Sequence, residues 1–162
     1  MNEYNIHVLS RGVIIDQNHI LLAYDPRLHP NHYYELNSQF YYLPGGHIEF
    51  QESAKTALIR ELKEETGFGA NIERFLGVLE HAWNFPGDDI CCHTHEINLI
   101  FKVNIAGLKY GDAVSQQEEH VAFSWVPIEN LEKTDFRPLP LKNSIIEWLK
   151  HDDNNVFHST IK

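Results

Sequence analysis

The chain has 162 residues, enough for one domain with its own core, and 43% of them are hydrophobic and 22% charged, which excludes an intrinsically disordered polypeptide. Its 13 basic and 23 acidic side chains leave a formal charge of −10. That excess repels nucleic acid backbone and anionic membrane, so a phosphate-bearing ligand would have to be met through cations.

Residues 6–16 and 19–24 read as two β segments joined at Gln17-Asn18, a hairpin signal. Residues 25–38 carry two prolines, two histidines and two tyrosines without periodicity and predict a long loop, a usual place for substrate contacts. Extended structure resumes at 39–43 and is broken by Pro44-Gly45-Gly46. Ser53 then predicts the cap of a helix from Ala54 to about Thr66, stopped by Gly67 in a left-handed conformation. On that helix Ala54, Leu58 and Leu62 form the apolar stripe, with Glu61 and Glu65 at its border and Glu64 slightly further round.

Further strands are predicted at 74–83, 96–104 and 120–126, separated by turn-rich stretches at 86–89 and 109–115. Residues 127–131 read as one helical turn, and 140–150, with Leu141, Ile145, Ile146 and Leu149, as a closing helix. The reading is one domain over 1–151 and a frayed polar tail over 152–162.

Cys91 and Cys92 are adjacent and cannot build a disulfide framework, and there is neither a basic leader followed by an apolar run nor a membrane-length apolar stretch. A cytoplasmic protein is expected, with no membrane and no nucleic-acid polymer as partner; a homodimer is left open.

Chemistry concentrates at 46–68. On a helix Glu61, Glu64 and Glu65 stand at i, i+3 and i+4, so their carboxylates converge within about 6 Å and repel one another. A divalent cation removes that conflict. Hard oxygen donors suit Mg2+, with Mn2+ as substitute, better than zinc. An isolated run of this kind would more often be a solvated helix face, and Arg60 and Glu64 are ordinary i, i+4 partners.

The wider spacing decides otherwise. Gly46, Glu52, Arg60, Glu61, Leu62, Glu64, Glu65, Gly67 and Phe68 fill the pattern of Gly, five residues, Glu, seven residues, Arg-Glu, an aliphatic, one residue, Glu-Glu, one residue, Gly and an apolar residue. This segment resembles the Nudix box. The resemblance implies an α/β/α sandwich with a mixed sheet between helices. It also implies a Mg2+-dependent pyrophosphohydrolase that cleaves the diphosphate of a nucleoside diphosphate linked to another moiety, such as a nucleoside triphosphate or nucleotide sugar.

Carried over by position, the resemblance implies Glu64 and Glu65 as principal metal ligands, Glu61 as a further ligand or the base acting on water, and the Gly45 carbonyl as another ligand. Arg60 would orient the carboxylates, and Glu52 would support the turn into the helix or reach the metal cluster. Glu118 or Glu119 would add an acid from outside the box. Arg27, Tyr33, Tyr34 and Trp83 are the candidate substrate contacts, aromatic faces suiting a nucleobase. A rival reading is a non-catalytic nucleotide sensor on the same fold, which would be expected to lose box carboxylates; none is lost here. Cys91, His93 and His95 alternate and would share one face of an extended segment, with His81 elsewhere, but they lack a standard zinc spacing.

Overall fold

The computed structural model describes residues 6–28, 39–83, 95–150 and 156–161. Strand β1 (His7–Asp16) turns into β2 (His19–Tyr24) through Gln17 and Asn18, which take φ of 44° and 61°. Two successive positive φ values make the tight turn whose twist matches flanking strands. A two-residue β3 (Tyr41–Tyr42) pairs with β2, and β4 (Gly45–His47) lies antiparallel to β1, with Arg11 opposite Gly45 and Ser10 opposite Gly46. The extended segment expected at 39–43 is thus a strand only over Tyr41–Tyr42.

Helix α1 (Ala54–Thr66) begins where the Ser53 side chain accepts from the Thr56 amide and ends at Gly67, φ 78°, whose amide donates to the Lys63 carbonyl. Strands β5 (Ala70–Ala82), β6 (His95–Ile105) and β7 (Ala122–Pro127) follow, then a 3-10 turn (Ile128–Lys133) and helix α2 (Leu141–Lys150). The last strand is β8 (Phe157–Ser159). The sheet runs β3-β2-β1-β6-β5-β8, with β4 added on β1 and β7 on β2. Both β1 with β6 and β5 with β8 are parallel, so the sheet is mixed.

Successive residues of the central strands point to opposite faces. Val13, Ile20, Leu22 and Ile100 therefore join Leu141, Ile145 and Trp148 of α2 on one side. Ile14, Leu21, Phe101 and Val103 join Leu58 and Leu62 of α1 on the other. A sheet buried on both faces between helices is the expected α/β/α sandwich. The buried positions of α1 are Ala57, Leu58, Leu62, Glu65 and Thr66, so Ala54, placed in the apolar stripe by the sequence, is only half-buried and Glu65 goes inward instead.

The frayed tail expected from residue 152 is corrected at 157–159. The outer edge of β5 offers unpaired backbone groups, and β8 fills it. The Thr160 amide donates to the Glu80 carbonyl at 3.1 Å, and Ser159 Oγ donates to Glu80 Oε2 at 2.7 Å. No helix among the described residues is long and apolar enough to cross a membrane.

Candidate active site

The Pro44-Gly45-Gly46 turn delivers the chain from β3 onto β1 beside the last turns of α1. Gly45 sits at φ 113°, where a side chain would be strained and a Cβ would run into the Ser10 carbonyl. At Gly46 a Cβ would stand 2.6 Å from Glu61 Oε1, so the missing side chain is what lets the Glu61 carboxylate reach the turn. Glu65, one helical turn on, is 5% exposed and accepts the Gly45 amide at 2.9 Å.

These groups stand in the wall of a cavity of about 400 Å³. Glu61, Glu65, Gly45, Gly46 and Glu118 line it, as do Phe40, Tyr42, Trp83 and Arg137. Burial pushes the Glu65 carboxyl up to about 7, opposed by the charge of Arg11 and by the Gly45 amide, with Glu61 and Glu118 adding to the rise. The Tyr42 phenol is pushed up to about 12, first by burial and next by the charge of Glu65.

Arg60 lies behind this wall. Its Nε and Nη2 donate to the two carboxylate oxygens of Glu52 at 3.0 Å each, its Nη1 to Glu61 at 2.9 Å and Glu64 at 3.2 Å, and its Nη2 also to the His47 carbonyl at 3.1 Å. One planar guanidinium therefore ties the loop before α1 to two helix carboxylates. The fork holds the Glu52 carboxyl below its usual range, and Arg60 is raised above the ordinary arginine value chiefly by the same hydrogen bonds.

The structure separates residues that the sequence had grouped. Glu64 has a side chain 51% exposed and is not among the cavity's lining residues. Of the adjacent pair near β7, Glu118 lines the cavity and Glu119 does not; both line a smaller depression with Gln116 and Gln117, and Glu119 acts electrostatically on Arg27. Arg27 is mostly exposed and paired with Asp25 at 2.7 Å, outside the cavity; Trp83 is in its wall. Tyr33, Tyr34, Cys91 and His93 lie outside the described residues. His95 meets Glu80 at 3.4 Å and His81 meets Thr160 at 2.9 Å.

Sequence reasoning passed over Arg11, Asn98 and Arg137. Arg11 interrupts an apolar strand, Asn98 is 2% exposed within β6, and Arg137 stacks over Phe40 at 4.4 Å while Asp135 holds it at 2.9 Å. A polar residue inside an apolar strand run was the available signal for the first two.

The donor set suits a hard divalent cation: carboxylates of Glu61, Glu65 and Glu118 and the Gly45 carbonyl, with no sulfur among them. Among the described residues no three acidic, histidine or cysteine side chains already converge closely enough to hold an ion by themselves.

The NUDIX domain family model matches residues 6–149, and the chain belongs to that family. It is 30% identical over 108 residues to a protein of Methanocaldococcus jannaschii named ADP-ribose pyrophosphatase, covering 65% of this chain and 57% of that protein. It is also 30% identical over 144 residues to the NAD-capped RNA hydrolase NudC of Stutzerimonas stutzeri, covering 89% of this chain and 41% of the relative. The chain thus spans about half the length of these curated relatives. Among solved structures it resembles the E. coli ORF135 protein, with a TM-score of 0.65 and 21% identity over 91% of this chain and 93% of that one. A NUDIX hydrolase from Nitrosomonas europaea gives 0.66 and 18% over 90% of each chain.

Proposed function

We propose that the chain is a Mg2+-dependent pyrophosphohydrolase, Mn2+ serving as substitute, that uses water to cleave the diphosphate bond of a nucleoside diphosphate linked to another moiety. The observation that carries this reading is the buried Glu65 carboxylate, bound by the Gly45 amide and facing a cavity it shares with Glu61 and Glu118. Burying a carboxylate among other carboxylates is unfavourable unless a cation or a proton joins it.

Glu61, Glu65, Glu118 and the Gly45 carbonyl would hold the ion, with Glu64 able to join from the exposed edge of the same helical turn. A divalent ion bound there would draw charge from the diphosphate and lower the pKa of a water. Glu61 is the base nearest the turn: it would take a proton as the water oxygen attacks phosphorus and the bridging oxygen leaves with the second phosphate. Arg60, through its fork with Glu52, keeps Glu61 aimed. Phe40, Tyr42 and Trp83 give the cavity flat apolar faces for a base or sugar. The name of the M. jannaschii relative supports ADP-ribose, and that of NudC a dinucleotide of the NAD type, as first compounds to try; a nucleoside triphosphate and a nucleotide sugar complete the panel.

The test is product analysis by 31P NMR after incubating that panel with Mg2+. Wild type should release phosphate monoesters, and Glu61→Gln and Glu65→Gln should not. Nucleotide binding by wild type without any product would instead support a sensor.

A further inference from the structure

We propose that Arg11 is a resident counter-cation of this site, competing with the divalent ion for the Gly45 carbonyl and the field of Glu65, and so setting how tightly the ion is held. The inference rests on the metal-site reading above. Arg11 projects from β1 opposite Gly45. Its Nη1 donates to the Leu43 carbonyl at 3.1 Å and to the Gly45 carbonyl, and its guanidinium carbon lies 5.7 Å from the centre of the Tyr42 ring. The amide of that same Gly45 donates to Glu65 at 2.9 Å, and Arg11 and Glu65 line one cavity.

The other arginines near the cavity are held by other acceptors than the Gly45 carbonyl. Arg60 spans Glu52, Glu61, Glu64 and the His47 carbonyl behind the wall. Arg137 is held by Asp135 over Phe40. Arg60 thus shares the Glu61 and Glu64 carboxylates with the proposed ion, and Arg11 is the arginine that shares the Gly45 carbonyl.

A guanidinium has five donors and no lone pair, so it cannot join the ion's coordination shell; it can only occupy the same oxygen atoms or repel the ion. A doubly charged ion and a single charge about 6 Å apart repel by an amount worth about tenfold in affinity even at the dielectric of water. A purely structural role predicts the opposite sign. If Arg11 did no more than brace the Leu43 and Gly45 carbonyls, removing it would loosen the turn and weaken ion binding.

The experiment is titration of the full chain with Mn2+ alone, free Mn2+ being counted by electron paramagnetic resonance, for wild type, Arg11→Met, Arg11→Gln and Arg11→Lys. Thermal melts in chelator establish that each variant is folded; glutamine, which keeps one donor for the carbonyls, carries the test if the methionine variant does not fold. The neutral variants should bind Mn2+ about tenfold more tightly than wild type, with the lysine variant close to wild type. Equal or weaker binding by the neutral variants overturns the role of Arg11. Absence of bound Mn2+ in wild type overturns the metal site itself.

Discussion

Glu65 links the fold to the chemistry, and its replacement by glutamine should remove a specific pH dependence of stability. In the folded chain its carboxyl keeps a proton up to about pH 7, whereas the ordinary value is 4.5. Between those values the folded state binds more protons than the unfolded one. This contribution is therefore complete below about pH 4.5, declines as pH rises, and is gone above about 7. At about 1.4 kcal/mol for each pH unit of that interval, the loss comes to about 3 kcal/mol, an upper bound because neighbouring carboxylates relax as Glu65 ionises. Other groups pull the opposite way: the arginine hydrogen bonds that hold Glu52 and Asp25 low, and the burial that lowers His81, each act below that group's ordinary value. The comparison must therefore be wild type minus Glu65→Gln, in which those common contributions cancel. Urea denaturation in chelator at intervals from pH 5 to 8 supplies it. Wild type should lose stability relative to the variant by up to about 3 kcal/mol across that range, and Mg2+ should restore part of it. Parallel pH profiles for the two proteins would refute the electrostatic account of this carboxylate.

Gly46→Ala should displace the Glu61 carboxylate rather than unfold the chain, because the new Cβ meets the far end of a flexible side chain; expect a small change in Tm by calorimetry but a loss of Mn2+ affinity of about tenfold or more. Gly77→Ala should do the reverse. Its Cβ would stand 2.6 Å from the Trp148 ring and 2.7 Å from the Val156 carbonyl, so a loss of about 1 to 3 kcal/mol is expected in denaturant titration with ion binding unchanged. Of the neighbouring acids, Glu118→Gln should depress turnover of the best substrate by about tenfold or more while Glu119→Gln leaves it near wild type, a contrast that steady-state kinetics reads directly.

Much of this architecture was legible because local and long-range requirements agree. Ser53 and Gly67 bracket an apolar period whose helix has the predicted limits, and Gln17-Asn18 between two apolar runs makes the hairpin turn. The two-faced burial of β1, β2 and β6 follows from near-continuous apolar runs. Other features depend on contacts that no local pattern encodes. Strand β8 is three residues long and held by main-chain bonds to Glu80 and by a serine, so its composition reads as tail. Strand β5 begins at Ala70, four residues before its expected start, because pairing with β6 continues past the register shift between Ile72 and Arg74. Glu118 and Glu119 are chemically identical neighbours, and only the path of the chain into β7 decides which faces the cavity. Arg11 was hidden by its surroundings, a charge inside a strand whose contact with the Gly45 carbonyl forms only when that turn folds against β1.

The central claim is that the Glu61–Glu65 cavity is where an ion-assisted attack of water on phosphorus takes place. Hydrolysis of the nucleotide panel in water enriched in 18O, with the products weighed by mass spectrometry in Mg2+ and again in excess chelator, tests it most directly. The account predicts one 18O in one of the two phosphate products, formed with Mg2+ and abolished both by chelator and by Glu65→Gln. Label uptake that persists undiminished in chelator or in that variant would contradict it.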